Sequence, residues 1–300
     1  MGERAGRTHA AAGGRGISKR VAAFRAGQAA QARTAPALLD MKGESMEQVC
    51  LVTGATGRNG AGSATIKFFA RQGWRVVVNY SRDEGAAEAV AAECRALGAA
   101  DVLVARADVT SDEACRAMAR DIEQRWGRLD ALVNNAAVTT FNDHKNLDGL
   151  SFDDFQRVFA INVSGVYVVT RAMADLLRRT GNASVVNMSS VGGLRGTGSS
   201  MAYAASKSAL NAMTFSFARV LAPEVRVNAL LPGFIEGDWL INGMGRERYE
   251  TVRAALIAKN PLKSVQTPDE IAEAVWWLVH GPAALTGELV QLDAGGRLAV

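Results

Sequence analysis

From residue 47 onward the chain alternates short apolar runs with longer amphipathic stretches. Strand-like runs fall at 48–53, 75–80, 101–106, 129–134, 183–188, 225–230 and 288–292. Helix-like segments lie between them, at 84–97, 112–126, 155–179, 203–221 and 269–279, and a further helix opens behind a glycine-rich segment after the first run. Such alternation predicts βαβ units with right-handed crossovers. The expected class is α/β: a doubly wound, mainly parallel seven-stranded sheet with helices on both faces. No linker-like stretch and no repeat interrupts the pattern, so 47–300 is expected to form a single domain.

Residues 1–46 break the pattern. They are rich in Ala, Gly and Arg without a sustained apolar period, which predicts a disordered basic tail. The formal net charge of the chain is +4, and residues 1–40 hold seven basic side chains against two acidic ones. The basic surplus therefore belongs to the tail, and it gives the fold no reason to bind nucleic acid. The tail lacks the apolar core of a secretory signal. Its Arg-rich, acid-poor composition is shared by organelle transit peptides, and Met41 and Met46 are both placed to serve as start residues. No run of about 18 apolar residues predicts a membrane span. Cys50, Cys94 and Cys115 make no C-x-x-C pair and read as inert thiols of a protein in a reducing cytoplasm. With only His9, His144 and His280 in the chain, no metal site is expected.

The segment Thr53-Gly54-Ala55-Thr56-Gly57-Arg58-Asn59-Gly60-Ala61-Gly62 follows a strand and opens a helix. Glycines let backbone N–H groups approach a pyrophosphate, and the helix N-terminus adds partial positive charge. This predicts a Rossmann-like dinucleotide loop. The second strand ends Asn79-Tyr80-Ser81-Arg82, with no acid at its tip to bind a ribose 2′-hydroxyl; Asp83 comes later, at a helix start. Arg82 and Arg58 are suited to a 2′-phosphate, so NADP(H) is expected over NAD(H).

Tyr203-Ala204-Ala205-Ser206-Lys207 sets a phenol and an ammonium four residues apart, on one helix face. A neighbouring ammonium is expected to lower the phenol pKa from about 10 and fit it for proton transfer to or from a carbonyl oxygen.

Together these motifs resemble the short-chain dehydrogenase/reductase family from about residue 48 to 295, and 3-oxoacyl-[acyl-carrier-protein] reductases most. The resemblance implies that Ser190, thirteen residues before Tyr203, hydrogen-bonds the substrate carbonyl, and that Asn162 helps hold a water near Lys207; Ser189 is the neighbouring alternative. It places Thr53, Gly54, Arg58, Asn59, Gly60 and Gly62 at the pyrophosphate and Asp108-Val109 at the adenine. Asn135, Ala136, Tyr203, Lys207, Pro232, Gly233 and Ile235 then line the rest of the cofactor. The chain departs from the family at three points. Its glycine loop is two residues longer, Ala137 replaces a glycine, and Gly237 replaces a threonine that contacts the nicotinamide amide.

Residues 234–265 should form a lid over the carboxyl ends of the strands, with Phe234, Trp239, Leu240, Ile241 and Met244 offering an apolar surface to an acyl-like substrate. The expected function is carbonyl–alcohol interconversion on a small molecule, plausibly an acyl thioester. An alcohol, sugar or steroid dehydrogenase and a nucleotide-binding sensor without turnover stand as alternatives. Apolar residues on several faces of 155–179 and 203–221 point to a homodimer or homotetramer.

Overall fold

The structure is a computed structural model that describes residues 47–299. The basic segment 1–46, expected to be disordered, and the start residues proposed within it lie outside the described residues.

Seven parallel strands form one sheet in the order β3-β2-β1-β4-β5-β6-β7. They are β1 (Val49–Val52), β2 (Arg75–Tyr80), β3 (Asp101–Arg106), β4 (Ala131–Asn134), β5 (Ala183–Met188), β6 (Val225–Pro232) and β7 (Leu289–Leu292). All seven expected strands are present, and every pairing is parallel. Side chains alternate across a strand, and the core divides accordingly. Cys50 and Val52 of β1 join one apolar cluster, and Val49 and Leu51 join another on the opposite face.

The first face is covered by α1 (Ala61–Arg71), α2 (Glu84–Ala96) and α10 (Pro268–His280), through Ile66, Phe69, Val90, Ile271, Val275 and Leu278. The second is covered by α3 (Asp112–Trp126), α5 (Val166–Arg179) and α7 (Met201–Leu221), through Met118, Ile122, Val169, Met173 and Leu221. Each fully buried side chain of this kind contributes about 1.5–3 kcal/mol.

Several helix starts are written locally. Asp83, Ser111 and Ser200 cap α2, α3 and α7 by accepting a backbone N–H, and Thr267-Pro268-Asp269-Glu270 forms a capping box at α10. The single helix expected over 155–179 is instead α4 (Phe152–Phe159), a π-helical turn (Ala160–Gly165) and α5. A stretch with i→i+5 bonding is absent from the 3.6-residue pattern and often marks a functional site. Here it carries Asn162.

Candidate active site

A cleft of about 1120 Å³ opens at the carboxyl ends of the strands. The strand order reverses between β1 and β4, the point at which open α/β sheets bind ligands.

The β1–α1 turn forms one wall. Gly60 is the N-cap of α1, supplies no side-chain cap, and no acid follows in the first turn. Gly60 N–H donates to the Gly57 carbonyl at 3.2 Å, and the N–H groups of Ala61 and Gly62, both of which line the cleft, lack a side-chain acceptor. Free N–H groups at the positive end of a helix fit a phosphate. Gly62 is required by packing, since a Cβ there would lie 2.4 Å from Asn135 Nδ2. That amide donates to the carbonyls of Thr53 (2.9 Å) and Gly54 (3.1 Å). Thr53 is buried and does not line the cleft; its hydroxyl accepts from the N–H groups of Asn135 and Ala136, both at 3.0 Å. It braces the loop from beneath.

Asn79, at the tip of β2, is buried. It accepts from Gly54 N–H (3.2 Å) and donates to the carbonyls of Ala105 (3.2 Å) and Ala107 (3.0 Å). An amide there knits three strand ends and puts no carboxylate at the tip of β2. Arg82 is exposed on the cleft wall beside Asp108. The Asp108 carboxyl is held below its ordinary value first by the Thr110 backbone N–H and hydroxyl, with a smaller effect from the Arg82 guanidinium. Arg58 lines a separate shallow depression with Lys67, Arg71 and Glu93. Gly54, Asn59, Val109, Ala136, Pro232, Gly233 and Ile235 all line the main cleft.

Tyr203 sits in the first turn of α7 because Ser200 caps that helix, accepting from Tyr203 N–H at 3.2 Å. One turn on, Lys207 is buried and donates from Nζ to the Met188 carbonyl at 2.7 Å. Ser190, between β5 and the short α6 (Gly192–Arg195), accepts from Gly192 N–H at 3.0 Å and lines the cleft together with Tyr203. Ser189 faces away, donating to Asn211 Oδ1 at 2.6 Å within the core. The Asn162 amide is fully used. It accepts from Val138 N–H (2.8 Å) and donates to the Val138 carbonyl (2.9 Å) and to Ser206 Oγ (3.0 Å). Ser206 in turn donates to the Tyr203 carbonyl at 2.7 Å. Asn162 therefore stands behind the cleft and ties the strand-end loop at Val138 to the helix of Tyr203.

The expected low phenol pKa is not what this arrangement produces. Burial pushes Tyr203 up to about 12, and the neighbouring Ser190 hydroxyl only partly opposes it. Burial also pushes Lys207 down to about 7. The Lys207 Nζ is 5.5 Å from the Tyr203 ring centroid and points its hydrogen bond at Met188. Desolvation of the phenolate thus outweighs attraction to an ammonium that is itself desolvated.

The segment 234–265 folds as two helices, α8 (Asp238–Met244) and α9 (Arg246–Lys259). Trp239, Leu240 and Met244 line the cleft, whereas Ile241 does not. The Trp239 ring lies 5.9 Å from Tyr203 and 5.8 Å from Phe141. Sequence reasoning missed Phe141, which lies in the mostly polar stretch 139–149 and belongs to no motif. It also missed the ion pair between Arg195 and buried Asp293 (2.8 Å), two residues that line the cleft. No periodicity signals such a pair. Among the described residues no cluster of His, Cys, Asp or Glu is arranged to hold a metal ion, and no helix is long and apolar enough to cross a membrane.

Comparison with known proteins follows this geometry. A family model described as enoyl-(acyl carrier protein) reductase matches residues 54–296. The chain is 36% identical over 250 residues to a granaticin polyketide synthase putative ketoacyl reductase 2 of Streptomyces violaceoruber, covering 83% of this chain and 96% of that protein. It is 32% identical over 251 residues to a 3-oxoacyl-[acyl-carrier-protein] reductase of Synechocystis sp., with 83% and 96% covered. Among solved structures, a putative short-chain dehydrogenase/reductase from Burkholderia xenovorans superposes with a TM-score of 0.78 at 40% identity, over 85% of this chain and all of that one.

Proposed function

The chain belongs to the short-chain dehydrogenase/reductase family, and on that premise we propose that it interconverts a carbonyl and a secondary alcohol with NADP(H), in the manner of a 3-oxoacyl thioester reductase. The observation that carries this reading is that Ser190 and Tyr203 line the same cleft, with Tyr203 one helical turn from buried Lys207.

A bound nicotinamide supplies the hydride to the carbonyl carbon. The chain supplies the proton and the geometry. Ser190 donates a hydrogen bond to the carbonyl oxygen and fixes it beside Tyr203. With its pKa near 12, the phenol is protonated at neutral pH, the state a proton donor needs. Negative charge building on the carbonyl oxygen draws that proton across, and the product is the neutral alcohol. Lys207, with no carboxylate partner among the described residues, stabilises the resulting phenolate and exchanges protons near neutrality. Asn162 and Ser206 hold the helix turn on which Tyr203 rides.

The Arg82 guanidinium at the β2 tip and the absence of a carboxylate there support NADP(H). The apolar lid surface of Trp239, Leu240 and Met244 supports an acyl substrate, as do the ketoacyl reductases among its relatives. A sensor without turnover has no use for a serine and a tyrosine on one cleft wall with a buried lysine a helical turn behind them.

The decisive experiment is Tyr203→Phe, assayed by NADPH oxidation against 3-oxoacyl thioesters, quinones, ketosteroids and sugars. Turnover on the best substrate falls by about 10²–10⁴-fold, while NADPH binding, followed by its fluorescence, is retained. Near-normal kcat in that variant overturns the assignment.

A further inference from the structure

The longer glycine loop and Gly237, two departures from the family pattern, meet in space. A Cβ on Gly237 would lie 2.3 Å from the Asn59 carbonyl oxygen. That is closer than any side chain tolerates against backbone, so the loop fills the volume that a threonine side chain would occupy. Gly237 also has φ +143°, in the range that favours glycine. The next residue, Asp238, opens the lid helix α8, and its Oδ2 accepts from Asn59 Nδ2 at 3.0 Å. One residue further, Trp239 sets its ring 5.9 Å from Tyr203.

We infer that Asn59 is a positioning residue that latches the glycine loop to the substrate lid, and that the loop extension and Gly237 are a single compensated change. The inference rests on the reading of 53–62 as the cofactor loop and of Tyr203 as the proton donor. The loop that receives the pyrophosphate thereby sets how α8 sits, and α8 sets where Trp239 stands over the reacting carbonyl. Asn59 acts through the lid, so its loss weakens productive binding of the carbonyl substrate more than it weakens binding of the dinucleotide.

The variants are Asn59→Ala, Asp238→Ala, the double variant, and Asp238→Asn, which keeps an acceptor for Asn59. An ordinary hydrogen bond corresponds to roughly a twofold to tenfold shift in the docked population of the lid. Trp239 is isolated by difference from a Trp239→Phe background, and its exposure is read by acrylamide quenching in the presence of NADPH. Quenching of Trp239 rises in both alanine variants, no further in the double variant, and stays near wild type in Asp238→Asn. With acetoacetyl-CoA as probe, KM rises by about threefold to tenfold in the alanine variants, while in Asp238→Ala, whose changed residue lies off the cleft wall, kcat and the NADPH dissociation constant change by less than about twofold. Unchanged Trp239 quenching in Asn59→Ala with NADPH bound overturns the latch alone, as do additive effects in the double variant. A wild-type protein that does not bind NADPH overturns the functional reading beneath it.

Discussion

Replacing Lys207 by methionine should make the protein more stable and inactive. The Nζ is buried, and its one hydrogen bond goes to the Met188 carbonyl, with no carboxylate to offset its charge. Burial lowers its pKa from 10.5 to about 7. The unfolded chain therefore binds more protons than the folded one between these two values, and stability rises with pH across that window. The contribution is fully present above the unfolded value and is lost as pH falls toward 7. At about 1.4 kcal/mol per pH unit of displacement, holding the deprotonated lysine costs about 4 kcal/mol at pH 7 and about 2 kcal/mol at pH 9. Methionine has similar length and no charge, so Lys207→Met removes this cost and gives up only the bond to Met188, worth about 1 kcal/mol. The net gain is about 3 kcal/mol at pH 7, shrinking to about 1 kcal/mol at pH 9. Tyr203 does not disturb the comparison. Its folded pKa is raised from 10 to about 12, so its effect begins only above pH 10. Denaturant unfolding of the cofactor-free protein at pH 7, 8 and 9, wild type beside variant, measures both the gain and its slope. A variant less stable than wild type at pH 7, or a difference independent of pH, refutes the reasoning.

Wild type should prefer NADPH over NADH by at least about tenfold in kcat/KM, since a charge-assisted hydrogen bond contributes roughly 1.5–3 kcal/mol and exposure pushes it to the low end. Arg82→Ala should lose most of that preference and Arg58→Ala little, because Arg58 lines a different depression; equal cofactor use by wild type sinks the proposal. The protein should be a homodimer or homotetramer. Val166, Val169 and Leu210 face inward, whereas Phe155, Tyr167, Phe215 and Val220 of α4, α5 and α7 are exposed, and a monomer mass by light scattering at micromolar concentration refutes the pairing.

Seven strands, the doubly wound order and the position of the glycine loop were all legible in the linear chain. Each rests on signals carried by near neighbours: apolar runs, caps such as Asp83 and Thr267, and glycines between a strand and a helix. The four-residue spacing of Tyr203 and Lys207 is likewise a local fact, and it put both groups on one helix face. What only the tertiary structure decided depends on residues far apart in sequence. Asn59 and Asp238, separated by 179 positions, meet because two loops emerge from the same edge of the sheet. Arg195 finds Asp293 in the same way. Arg58 and Arg82 both suited a 2′-phosphate in the linear chain, with Arg82 the main candidate, and only Arg82 opens onto the main cleft. The proton affinities of Tyr203 and Lys207 moved opposite to those of a solvated ion pair. Desolvation is a property of the volume around a group, and that volume is filled by the sheet, the lid and the helix together.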